Sequence, residues 1–227
     1  MQSQSAPQGA ALALLRTAER LFAERGLEAV STRMIARAAG QKNNSALHYH
    51  FSGRDKLVEA ILDYRVNPIN RERLRRLEQV QLRRRAPATR ALVELFVEPF
   101  AAELLKPLEE TYYVSLLAQL FAYPLGRELY LRDRARARAL HSISALLIKA
   151  LAPLSQPVIH LRLQFMGRQT IFAVAEWDEA RRRQSIELDA NTLAWRTRNL
   201  VDYIVAGLQA PGDSELRARS SVASLTE

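Results

Sequence analysis

Lys42, Asn43, Asn44 and Ser45 place consecutive hydrogen-bonding side chains between Gly40 and Leu47. An asparagine amide can pair bidentately with the major-groove edge of adenine, a lysine can reach a guanine edge or a phosphate, and a serine suits either. One of the two asparagines can instead cap a helix. Such groups read a duplex when a short, anchored helix presents them from its N-terminal turn. Met34, Ile35, Ala38 and Ala39 stand at helical spacing just before, and Gly40 supplies a stop because glycine takes the left-handed conformation that ends a helix. Leu47 and Phe51, four residues apart, mark the inner face of a second helix. Thr32–Phe51 therefore reads as two short helices and a tight turn, suited to a DNA major groove. The same spacing also fits a plain helical hairpin whose second helix is solvated.

The elements that must position this stretch are helical throughout. The chain has 227 residues, few glycines and much Ala, Leu and Arg, which favours helices. Leu14, Leu15, Ala18, Leu21 and Phe22 form one stripe, ended by Gly26, and Ser31 or Thr32 caps the next helix. Ser52-Gly-Arg-Asp55 offers a capping-box start with Ser52 as N-cap, and Leu57, Ile61, Leu62 and Tyr64 continue that helix until Pro68 kinks or breaks it. Amphipathic runs follow Pro87 and Pro107, Pro124-Leu-Gly126 breaks the chain, and a helix spans Leu129 to Leu151. The spacing predicts an all-α fold: an N-terminal three-helix helix-turn-helix domain over 1–54, a C-terminal helical ligand-binding and dimerisation bundle over 55–210, and a disordered tail over 211–227. The polar start, Met1 to Gly9, is expected to fray.

The formal net charge is +9, which favours a polyanionic partner because phosphate neutralisation releases counterions. There is no cysteine, so disulfides, thiol nucleophiles and Cys-type zinc sites are excluded. The start has no signal-peptide pattern and no stretch is long and apolar enough to span a membrane, so the expected location is cytoplasmic. No Gly-rich phosphate loop, serine nucleophile elbow or paired Glu-x-x-His is present, so neither catalysis nor a cofactor is expected. His48 and His50 lie about 200° apart on a helix and cannot chelate one metal.

The helix from Val158 to about Trp177 carries two apolar stripes. Ile159, Leu163, Met166, Thr170, Ala173, Val174 and Trp177 form one; Val158, Leu161, Phe165 and Phe172 form the other. Two stripes imply two partners, its own core and a second subunit. With Leu200, Ile204 and Leu208 of the last helix, Leu161, Phe165 and Phe172 are the expected homodimer interface. Burial of both stripes within one chain is the alternative. Arginine runs at 71–76, 83–85 and 181–183 read as solvated faces, with DNA contact the alternative. Polar anchors for a small-molecule pocket are Tyr112, Tyr113, Gln119, Tyr123, His141, His160, Gln164, Arg168 and Trp177. Arg168 and His160, on one polar side with Gln164, suit an anionic group.

Leu21-Phe-Ala-Glu-Arg-Gly26, then Thr32, Ile35-Ala36, Ala39-Gly40, Leu47, Tyr49-His-Phe51 and Lys56-Leu57 resemble the N-terminal domain of the TetR (tetracycline-repressor) family of bacterial transcriptional regulators. The match covers residues 12 to 65, and the helical remainder is similar in length and layout to that family's C-terminal domain. The resemblance implies a homodimer that binds a palindromic operator on double-stranded DNA and releases it when a small molecule binds. It also implies phosphate contacts by Thr32, Arg33, His48, Tyr49, His50 and Lys56, beside base contacts by Lys42, Asn43, Asn44 and Ser45. Gln41–Ala46 is one residue longer than the usual family turn, and His48 stands where tyrosine is usual, with Tyr49 next. The rival reading is a helical interaction protein without specific DNA binding.

Overall fold

The computed structural model describes residues 7–41, 45–82 and 86–212. Among these there are ten α-helices, one short 3-10 turn and no strand. Helix α1 (Gly9–Arg25) buries Leu14, Leu15, Ala18, Leu21 and Phe22, the stripe its spacing marks. Gly26 ends it at φ 84°. Helix α2 (Thr32–Ala38) is capped by Ser31, whose hydroxyl accepts from the Met34 amide at 3.3 Å. Gly40, at φ 71°, closes α2: its amide donates to the Arg37 carbonyl and the Gln41 amide to the Ala36 carbonyl, satisfying the orphan end of the helix. Helix α3 (Ser45–Phe51) comes next.

The capping box expected at Ser52 is not formed. Ser52 takes φ 56° and donates its amide to the His48 carbonyl, so its backbone is used to end α3. Gly53 is the N-cap of helix α4 (Arg54–Gln81), without a side-chain cap, and Asp55 stays in the first turn where a carboxylate favours the helix dipole. Pro68 does not end α4 either. Asn67 and Pro68 lie on the exposed side, while buried Val66, Ile69 and Leu77 hold the inner side to the core and carry the helix past the one backbone bond that proline removes.

Helix α5 (Thr89–Ala101) leads into a 3-10 turn (Ala102–Leu105) and helix α6 (Tyr113–Ala122). Pro124 opens helix α7 (Pro124–Leu131) instead of breaking the chain, because a missing N–H costs nothing at a first helical position. A Cβ on Gly126 would run into the Leu120 carbonyl, so only glycine fits that approach. The span expected as one helix from Leu129 to Leu151 is divided at Asp133, whose carboxylate caps helix α8 (Arg134–Ala150) through the Ala135 amide at 2.7 Å. Helices α9 (Gln156–Arg182) and α10 (Ala190–Gln209) complete the body, the latter capped by Asp189. The tail from 213 on, Arg83 to Arg85 and the first six residues lie outside the described residues.

Several arginines are structural, among them Arg73, Arg181 and Arg182 of the runs that read as solvated faces. Arg65 and Glu19, both buried, pair at 2.7 Å across α4 and α1. Arg136 is buried against Asp63, and the Asn70 amide donates to its carbonyl at 2.7 Å. Arg181 and Arg182 share buried Asp178 and donate to carbonyls of Leu104, Lys106, Leu108 and Thr111, which fixes the link between α5 and α6. Arg73 is buried as well.

Candidate functional site

The α2–α3 pair leaves one short helix held from behind and open in front. Leu47 is fully buried, and such burial of a leucine stabilises by about 1.5–3 kcal/mol. Ser45, His48 and Tyr49 are exposed on the opposite side, at the i, i+3, i+4 spacing of one face. Tyr49 is 84% exposed, with its ring edge-on to His50 at 5.1 Å. Arg33 is exposed and Thr32 half-buried at the start of α2. His50 and Lys56 are also exposed, but they line a groove beside Glu59 and Asp63 at the α3–α4 corner, and Lys56 pairs with Glu59 at 2.6 Å. Lys42, Asn43 and Asn44 lie outside the described residues.

The three-helix head is tied to the body through α1. Glu19 joins both neighbours: one oxygen accepts from Arg65 of α4 and the other from the Tyr112 amide at 2.7 Å, at the start of α6. Gln119 of α6 donates to the Ala23 carbonyl of α1 at 2.6 Å. Gln119 thus spans head and body, outside the lining of the cavity between α4 and α9.

A cavity of about 220 Å³ opens between α4, α5, α6, α7, α8 and α9. Val66, Ile69, Phe96, Leu117, Phe121 and Ile171 give it apolar walls, and Tyr113, His141, Gln164 and Arg168 line it as well. The other polar candidates stand elsewhere. Tyr112 lies under the Arg182 guanidinium at 4.2 Å, Trp177 under that of Arg196 at 5.9 Å, and Tyr123 is 70% exposed. His160 is exposed, away from the lining. Sequence reasoning missed Arg73, Arg127 and Tyr130 in the wall. Arg73 had a visible signal: it interrupts the apolar stripe Val66, Ile69, Leu77 at helical spacing.

The two stripes of α9 separate as their spacing predicts. Ile159, Met166, Thr170, Val174 and Trp177 are buried, while Leu161, Phe165 and Phe172 are exposed. On α10 the expectation needs correcting. Leu200, Ile204 and Leu208 are buried within the chain, because α10 packs that stripe on α5 and α9. Its outward aromatic residues are Trp195 and Tyr203, and Tyr203 shares a groove with Phe165.

Two family models match the chain. One, of bacterial regulatory proteins of the tetR family, covers residues 14–61, and one of the tetracyclin repressor-like C-terminal domain covers residues 94–207. Solved structures with a similar fold include AmtR of Mycobacterium smegmatis, 20% identical, with 99% of this chain and 98% of that one covered at TM-score 0.57. A TetR family transcription regulator from Marinobacter aquaeolei VT8 is 18% identical, with 85% and 94% covered at TM-score 0.55. The ketosteroid transcriptional regulator KstR2 of Mycobacterium tuberculosis is 16% identical, with 88% and 95% covered at TM-score 0.56. No curated protein matches by sequence.

Proposed function

Because this chain belongs to the TetR family of bacterial transcription regulators, with a DNA-binding helix-turn-helix head and a ligand-binding body, we propose that it is a repressor released from its operator by a small, largely apolar effector. The observation that carries this reading is the continuity from cavity to head. Helix α4 lines the cavity with Val66 and Ile69 and meets α1 through Arg65, while α6 lines it with Leu117 and meets α1 through Gln119. An effector that favours one arrangement of α4 and α6 thereby favours one arrangement of the heads. A tenfold loss of operator affinity needs only about 1.4 kcal/mol of differential binding.

The active species is a homodimer joined through the outer faces of α9 and α10, with Leu161, Phe165 and Phe172 at its centre and Trp195 and Tyr203 beside them. Two heads then meet successive major grooves of a palindrome, roughly 34–36 Å apart. Lys42 to Ser45 read base edges, and Thr32, Arg33, His48, Tyr49, His50 and Lys56 hold phosphates.

The purified protein, titrated with its own upstream DNA at several salt concentrations, tests the reading. Preference for one segment at moderate salt is expected, and equal binding to all segments overturns it. Asn44→Ala should weaken binding to that segment by about 1–3 kcal/mol and leave non-specific binding near its parent value; a uniform loss on all DNA would remove Asn44 from base reading. Lys56→Ala should do the reverse, keeping specificity while the slope of log affinity against log salt becomes shallower by about one per site lost. An unchanged slope in gel-shift titrations would exclude a phosphate contact there.

A further inference from the structure

Arg73, Arg127, Arg168 and His141 line the cavity, and no Asp or Glu does among the described residues. Arg168 and His141 are exposed at the rim, whereas Arg73 is only 5% exposed. Its Nη2 donates to the Phe96 carbonyl at 2.7 Å, and its guanidinium lies 5.2 Å from the centre of the Phe96 ring. Its Nε is buried with no hydrogen-bond partner. Glu72 and Glu98 are taken by Arg75 and Arg76, and among the described residues no carboxylate pairs with Arg73. Tyr113 and Tyr130 stand beside it, with the Tyr130 oxygen accepting from Arg73; burial pushes both phenols up, Tyr113 well above its ordinary value, so the partners of Arg73 are uncharged. Burial also pushes the Arg73 guanidinium down from its ordinary value. A buried cation with only neutral partners is costly, and an entering anion relieves that cost.

We propose that the effector is a compact organic acid whose carboxylate pairs with Arg73 at the inner end of the cavity, assisted by the Tyr113 and Tyr130 hydroxyls. Its apolar body lies among Phe96, Leu117, Phe121 and Ile171. A guanidinium matches a planar carboxylate in a two-pronged pair. The Arg168 guanidinium at the rim draws anions toward the opening. The cavity volume of about 220 Å³ falls below the roughly 300–1,000 Å³ of sites for drug-sized ligands, which selects small aryl or short-chain acids over steroids and long lipids. This inference rests on the cavity being the effector site.

The test is calorimetric titration of the full chain, without DNA, with phenylacetate, cinnamate and octanoate and with the primary amide of each. At least one acid should bind, and it should bind about tenfold or more tightly than its amide, the range of a charged hydrogen bond. Arg73→Met should make acid and amide equal, while the free variant melts no lower than the parent because the thioether fills similar space without a charge. Arg73→Lys, which keeps the charge and loses the fork, should retain a weakened preference and serves if the methionine variant does not fold. Equal binding of acid and amide to the parent overturns the inference. So does a preference that is unchanged in either variant, or no binding by any acid at millimolar concentration. Release of bound upstream DNA by the acids is read separately and decides the regulatory reading alone.

Discussion

Glu19→Gln is expected to lower stability by about 3–5 kcal/mol, the usual cost of removing one partner from a buried ion pair. For a chain of this size that corresponds to a fall of roughly 6–20 °C in the melting midpoint. Glu19 is 1% exposed and Arg65 6%, so water cannot take over the missing charge. Arg65 would keep its bond to the Glu110 carbonyl but lose its only ion pair among the described residues. The Tyr112 amide would face an amide oxygen in place of a carboxylate. The double variant Glu19→Leu/Arg65→Met should recover most of the loss, because an apolar pair of similar volume carries no desolvation cost. Chemical denaturation of the three proteins measures this. A loss below about 1 kcal/mol for Glu19→Gln would mean that the pair is solvated and surface-like.

Phe165→Glu is expected to convert the proposed dimer to a monomer and to weaken operator binding by about two to four orders of magnitude, the range of avidity lost when a second linked site is removed. Phe165 is 54% exposed and points away from the core, so the fold should survive the substitution. In a two-fold interface the same residue comes from both subunits, so each dimer would hold two unpaired carboxylates on an apolar seam. Light scattering reads the mass and a gel shift reads the affinity. A variant that remains dimeric would move the interface away from the outer face of α9.

The helices were legible because their apolar residues recur at helical spacing, and the head was legible because short, strongly marked turns bound it. Gly26 and Gly40 end helices as the pattern predicts. The two stripes of α9 were visible too, since one sequence period fixes both faces. What pattern could not show was which side each charged residue took. Arg65 finds Glu19 46 positions away and Arg136 finds Asp63 73 positions away, and nothing local marks such pairs. Leu200, Ile204 and Leu208 formed a clear stripe, but a stripe does not say whether its cover is the same chain or another. Pro68 and Pro124 misled for a related reason. At a helix start a missing N–H costs nothing, and at Pro68 the single lost bond is outweighed by the buried residues on either side. Fewer than half of the polar pocket candidates line the cavity, because residue type alone cannot tell a wall from a brace such as Gln119.

The unbroken passage of α4 across Pro68 has a mechanical consequence. Proline leaves the Tyr64 carbonyl without its helical donor, which weakens the rod at that turn. On one side of this flexure lies Arg73 in the cavity wall, and on the other Leu57, buried near the start of α4, which packs against α1 and α3. At 1.5 Å per residue the arm from Pro68 to Leu57 is about 16 Å long, so a tilt of about 5° sweeps its end by about 1.4 Å. Shifts of roughly 1–2 Å are the working stroke of many protein switches. In the proposed dimer, helix α4 would act as a lever with its flexure beside the cavity wall, and the two strokes would add across the groove spacing.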